Sequence, residues 1–131
     1  LYLDRLKQLQ TELQSQGVTL IGINPNDEKQ FPEDSYEKMQ DFATEQQLNF
    51  LYLRDLNQDV AQSFKAEKTP HAFLLDQKGI IQYAGAIDDS AQDSTAVKVP
   101  YLKNAIAALL NQDAIAPILT TPVGCSIKWR D

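Results

Sequence analysis

Leucines recur at Leu3, Leu6, Leu9 and Leu13, with Asp4, Arg5, Lys7, Gln8 and Glu12 between them. Three- and four-residue spacing places them on one stripe, so the pattern predicts a helix running to about Gln16. Gly17 then suits the left-handed conformation that ends a helix. Val18–Ile23 is an apolar run rich in β-branched residues, expected to be a strand buried on both faces. Asn24-Pro25-Asn26-Asp27 breaks the regular structure. Asp34 and Glu37 stand at capping-box spacing before a second helix, with Tyr36, Met39, Phe42 and Ala43 on its inner face.

Phe50–Leu53 reads as a short strand, and Asn57 as the cap of a short helix carrying Val60, Ala61 and Phe64. Thr69-Pro70 leads into a strand, His71–Leu75, which the turn Asp76–Gly79 returns as Ile80–Ala84. A polar loop, Gly85–Val99, precedes Pro100 at the first turn of a helix whose stripe is Leu102, Ala105, Ile106, Leu109 and Leu110. Residues 111–131 contain Pro117, Pro122 and Gly124 and are expected to be extended. Ile115, Ile118, Leu119, Val123, Ile127 and Trp129 make this tail too apolar for a free linker, so it should pack back on residues 1–110 within a single domain.

Strands alternating with helices indicate an α/β protein with a mainly parallel sheet and helices on both faces, and the hairpin adds an antiparallel edge. A buried strand after an opening helix is half of a βαβ crossover, whose first strand is expected ahead of Leu1. The chain also opens inside an amphipathic pattern with no capping residue before it, which points to polypeptide upstream.

Composition narrows the function. With 131 residues, 43% hydrophobic and 23% charged, the chain matches an ordinary globular domain. A net charge of -6 argues against nucleic acid and anionic membranes as partners, because both require clustered Lys and Arg. No apolar run approaches the roughly 18 to 20 residues of a spanning helix. The single cysteine, Cys125, leaves the compartment unread, with the cytoplasm as the default expectation. One Cys and one His fall short of a zinc ligand set, no calcium-loop spacing is present, and no glycine-rich phosphate loop occurs, so neither metal nor organic cofactor is expected. Asp27, Glu33, Asp34, Asp88 and Asp89 read as turn formers and caps. Phe31, Tyr52, Phe73 and Trp129 read as core or tail anchors.

An ordered set of segments then carries a resemblance: Val18–Asn24, Asn26-Asp27, Phe31–Ser35, Asp59–Phe64, Thr69-Pro70, Phe73–Asp76, Gly79, Gly85–Asp89 and the ending Gly124-Cys-Ser-Ile-Lys-Trp129. Together they resemble peroxiredoxin-like proteins of the alkyl hydroperoxide reductase and thiol-specific antioxidant superfamily. The resemblance spans nearly the whole chain and implies a thioredoxin-like fold. It also implies a Cys-x-x-Cys segment, or a single catalytic cysteine, at the start of the first helix. Here Leu1 falls a few residues beyond that motif, so the first strand and the cysteine are expected upstream.

The site expectations follow from the same likeness. Thr69-Pro70 is expected to be cis and to lie beside the reactive sulfur, exposing the preceding backbone to an incoming thiol or peptide. Taken alone, Pro70 reads as a strand start, where a missing N–H is tolerated. Cys125 is the candidate resolving or redox cysteine, with Lys128 as a candidate to lower its pKa; the alternative is a small buried hydrophobe in the tail. His71 is a candidate tuner of a thiolate or proton shuttle, or a half-exposed structural histidine. Three functions remain open: a peroxide-reducing thiol enzyme served by an external thiol reductant, a protein disulfide reductase, and a non-catalytic binding module. Strand exchange between chains would give a homodimer.

Overall fold

In the computed structural model, residues 2–131 are described. Leu1, where the opening helix is expected to be already under way, lies outside them. The chain forms two compact units, one of Leu3–Ala66 with Ile127–Asp131, the other of Tyr2 with Glu67–Ser126.

In the first unit the leucine stripe becomes α1 (Leu3–Leu13), followed by a 3-10 turn over Gln14–Gln16 and Gly17 at φ +76°. Leu9 and Leu13 are buried, and so is Gln10, whose Oε1 accepts the Leu20 N–H at 2.6 Å. That bond ties the helix to the approach of β1 (Ile21–Asn24), which pairs in parallel with β2 (Leu51–Arg54). Between them lie a 3-10 turn at Pro32–Asp34 and α2 (Tyr36–Glu45). Met39 on α2 is buried, and Phe42 meets Tyr52 of β2 with ring centroids 5.9 Å apart. Lys7 Nζ donates to the Gln46 carbonyl, and Asn49 Nδ2 to the Lys7 carbonyl, fastening α1 to the turn after α2.

Three local expectations are corrected. Ser35, not Asp34, caps α2, its Oγ accepting the Lys38 N–H at 3.3 Å, because Asp34 is drawn into bonds with Asn24 and Asn26. Asp55, not Asn57, holds the head of α3 (Asp59–Phe64), accepting from the backbone of Val60 and Ala61. β1 starts at Ile21 and is not buried on both faces. Ile21 pairs with Leu51 and Ile23 with Leu53, so all four side chains share one face, and that face is open: Ile21 is 48% and Leu51 60% exposed.

In the second unit, β3 (Lys68–Thr69) is followed by the hairpin β4 (Ala72–Leu75) and β5 (Ile81–Gly85). Asp76 shapes the turn by accepting from the Ile80 amide, Gln82 Nε2 and the Lys78 amide, and these bonds hold its carboxyl below the usual range. α4 (Tyr101–Leu110) lays Leu102, Ala105 and Ile106 against this hairpin. Full burial of a Leu or Ile side chain is worth about 1.5–3 kcal/mol, so this face is the main apolar contribution of the unit. The loop before α4 is pinned by its aspartates: Asp88 accepts from Ser90 N, Asp89 from Lys98 N.

The tail does more than lie extended. Leu119 bridges Ala84 in parallel, Thr120 N donates to the Ala84 carbonyl, and Cys125–Ser126 forms β6 against β3. Among the described residues the named strands thus form three two-stranded ladders, one parallel and two antiparallel, beside the isolated parallel bridge of Leu119. Tyr83, 1% exposed, directs its hydroxyl to the Ala86 carbonyl and Thr120 Oγ1, each at 2.6 Å. Burial raises its pKa above 10. Gly85 permits this docking, since a Cβ there would meet the Thr120 backbone.

Tyr83→Phe should therefore lower stability by about 1–2 kcal/mol, because it strips a partner from buried polar groups. Thr120→Val should cost a similar amount, and the double variant less than the sum, as urea unfolding of the four proteins will measure.

Candidate functional site

The Thr69-Pro70 peptide bond is cis. Thr69 immediately precedes it in β3, and β6 runs antiparallel alongside, with Thr69 opposite Cys125 and Lys68 opposite Ser126. Two side-chain bonds reinforce the pair: Thr69 Oγ1 donates to the Cys125 carbonyl at 3.4 Å, and Lys68 Nζ to Ser126 Oγ at 3.1 Å. Two residues of ladder are a weak attachment, and what makes the approach close is Gly124. A Cβ at that position would collide with the Thr69 carbonyl and the Pro70 nitrogen, backbone atoms with no freedom to move aside.

Cys125 is exposed, which excludes the buried-hydrophobe alternative. As the only cysteine among 131 residues it has no partner for a disulfide within this sequence. The candidates Thr69, Pro70 and Cys125 are thus brought to one place, the β3–β6 ladder. Lys128 belongs to the other unit.

His71, next in sequence after Pro70, turns its Nδ1 to accept the Glu67 N–H at 3.2 Å. A ring that accepts at Nδ1 carries its neutral proton on Nε2. The imidazole stacks on Phe73 with centroids 4.4 Å apart, and desolvation, opposed by the Glu67 carboxylate, lowers its pKa below 6.5. At neutral pH His71 is therefore an uncharged donor through Nε2, and its Nδ1 is committed to backbone.

Sequence reasoning missed a dense polar cluster in the first unit, which grips the end of the chain. Asn26 Oδ1 accepts the Lys128 N–H at 2.8 Å, and the Lys128 carbonyl accepts from Asp27 N at 2.8 Å and Gln58 Nε2 at 2.9 Å. Gln58 is 2% exposed; its Nε2 also reaches the Pro25 carbonyl, and its Oε1 accepts the Arg130 N–H at 3.0 Å. Gln30 Nε2 donates to the Trp129 carbonyl. Below these, Asn24 Nδ2 donates to Asp34 and to the Tyr52 hydroxyl, while Arg54 donates to the carbonyls of Asn26 and Asp34. The Asn24–Asp27 run, read from sequence as a break, is thus an anchor for the terminal backbone. Amides that bind backbone rather than one another leave no spacing pattern, so nothing in the sequence flagged Gln58. Phe31, expected as an anchor, is instead 43% exposed.

Among the described residues no three His, Cys, Asp or Glu side chains converge as a metal site, and no helix is long and apolar enough to cross a membrane.

Comparison with known proteins gives a match of residues 1–84 to the family model described as the AhpC/TSA family. An uncharacterized conserved protein from Geobacillus kaustophilus is 34% identical, with a TM-score of 0.90 over 98% of this chain and 69% of its own. A hypothetical protein from Sinorhizobium meliloti 1021 is 30% identical, with a TM-score of 0.91 over 99% of this chain and 72% of its own. None of the curated proteins gives a match.

Two predictions follow from the geometry. Gln58→Ala removes the Gln58 partner of the Pro25 carbonyl and the Arg130 amide and leaves the Lys128 carbonyl to the Asp27 amide alone, so it should cost about 1–3 kcal/mol and expose the Lys128–Trp129 bond to trypsin, as timed digestion with mass detection will show. The His71 ring signals should titrate below 6.5 in NMR spectra. Since the unfolded chain takes up that proton first, the contribution of His71 to stability is fully present above pH 6.5 and declines as pH falls through its folded value.

Proposed function

The chain belongs to the AhpC/TSA family and has its thioredoxin-like α/β fold, and on that premise we propose that it works as a thiol-dependent oxidoreductase whose reactive segment is Thr69-Pro70 with Cys125 opposite. The observation that carries this reading is the register of β6: an exposed cysteine stands across from the residue that precedes the cis proline.

In the proposed cycle a first thiolate attacks a peroxide. The O–O bond breaks, the sulfur becomes a sulfenic acid, and an alcohol or water leaves. The Cys125 thiolate then attacks the sulfenic sulfur, forming an S–S bond and releasing water once the departing hydroxide is protonated. Two equivalents of an external thiol return both sulfurs to the reduced state. The first thiolate belongs to the cysteine that the family carries at the head of its first helix, where the dipole and free amide groups favour the anion. If Cys125 works alone, the external thiol takes the place of the second sulfur. His71, neutral and bearing a proton on Nε2, supplies a hydrogen-bond donor on the same segment.

Peroxides and small disulfides are favoured over protein disulfides as substrates of the resting form. A protein substrate needs the strand edge at Thr69, and β6 already occupies it.

Peroxide consumption by the purified protein with excess thiol, measured beside Cys125→Ser, tests the reading. The substitution should reduce turnover at least tenfold, a loss of about 1.4 kcal/mol of transition-state stabilisation. Undiminished activity in Cys125→Ser would remove Cys125 from the chemistry.

A further inference from the structure

The β3–β6 ladder has an unusual balance of shape and strength. Its shape is demanding: at Gly124 the tail fits only because the residue lacks a Cβ, and the backbone it rests on is the carbonyl of Thr69 and the nitrogen of Pro70. Its strength is small. The ladder is two residues long, Cys125 and Ser126 are both exposed, and the side-chain bonds from Thr69 and Lys68 lie in solvent. Surface hydrogen bonds of this kind exchange readily with water, because their net worth is modest. By contrast, the tail segment just upstream is fixed by Thr120 to the buried hydroxyl of Tyr83. The chain therefore has a firm anchor at Thr120 and a lightly held strand at Cys125–Ser126.

We infer that residues 124–126 act as an internal competitor on the Lys68–Thr69 edge, so that an extended segment of a partner protein pairs there only by displacing them. The seated tail specifies what the edge accepts. It takes an antiparallel strand with glycine against the cis peptide, a small polar or thiol residue opposite Thr69, and a hydroxyl within reach of the Lys68 ammonium. Main-chain bonds supply most of the affinity in such strand addition, and the glycine requirement supplies the selectivity. The inference rests on the assignment of Thr69-Pro70 as the reactive segment, and it adds a partner class and a gate: protein substrates reach the site only when β6 is displaced.

The test uses a fluorescent nonapeptide with the sequence of Thr121–Trp129 in which serine replaces the cysteine, so that no sulfur chemistry contributes. A second peptide carries alanine in place of the glycine. Both are titrated by anisotropy into the wild-type chain and into Gly124→Ala, whose own strand no longer fits the edge. The glycine peptide should bind Gly124→Ala about tenfold or more tightly than wild type, as the loss of one or two net hydrogen bonds by the competitor would give. The alanine peptide should bind neither protein. Equal affinity of the glycine peptide for both proteins, or equal binding of the two peptides, would overturn the inference.

If Gly124→Ala does not fold, amide exchange in the wild-type chain decides. Protection of Cys125 and Ser126 at least a hundredfold below that of Leu74 and Tyr83 supports a displaceable strand, and equal protection overturns it. A wild-type dimer with protected Lys68 and Thr69 amides would put a second copy's tail on the edge and overturn the partner form of the inference. Because the peptides lack sulfur, these results are independent of whether Cys125 carries the redox chemistry.

Discussion

The contact on which the candidate site depends is between two stretches of backbone, Gly124 on one side and the cis Thr69-Pro70 peptide on the other. No side chain intervenes, so the distance is set by the absence of a Cβ, and the next residue, Cys125, falls into register with Thr69. Everything chemical about the site follows from that register. It puts the only cysteine of this sequence at the solvent edge of the ladder, beside the cis Thr69-Pro70 peptide. A bulkier residue at position 124 would leave the same side chains present and the register lost.

Two different kinds of anchoring hold the tail that makes this contact. Before Gly124, Thr120 is tied to the buried Tyr83 hydroxyl and to the Ala86 amide. After Ser126 the chain passes into the other unit, where Asn26, Asp27 and Gln58 hold the backbone of Lys128 and Arg130. Cys125 is bracketed in sequence by these two anchored stretches while its own ladder is short. Such an arrangement keeps a sulfur near one position yet allows local opening, which thiol exchange through a mixed disulfide requires. Unpaired buried polar groups carry large costs, and the described side chains have none, so the anchors are complete rather than strained.

Much of the fold was legible because it rests on periodicity. The leucine stripe of α1, the Asp76–Gly79 hairpin turn and the apolar face of α4 are each local patterns that survive in the structure. The errors arose where tertiary partners overrule local signals. Asp34 has the spacing of a cap but is taken by Asn24 and Asn26, leaving Ser35 to cap α2. Val18–Ile23 has the composition of a fully buried strand, yet among the described residues β1 is paired only with β2, and its isoleucines are open to solvent. At the candidate site, Thr69, Pro70 and Cys125 are singled out by the family likeness, and the β3–β6 pairing brings them together. The reason Gly124 precedes Cys125 was invisible, since close backbone approach has no signature in a single sequence. Gln58 was invisible for a related reason: its bonds go to carbonyls and amides that every residue possesses.

If Cys125 is a redox sulfur at the Thr69-Pro70 segment, its chemical state after reaction with peroxide reveals it. The reduced protein is freed of external thiol, treated with substoichiometric hydrogen peroxide, quenched with acid, alkylated, and mapped by mass spectrometry. The peptide containing Cys125 should be recovered oxidised, as a sulfenic acid or a disulfide, in proportion to the peroxide consumed. Peroxide consumption that leaves Cys125 wholly alkylated as a free thiol would contradict it.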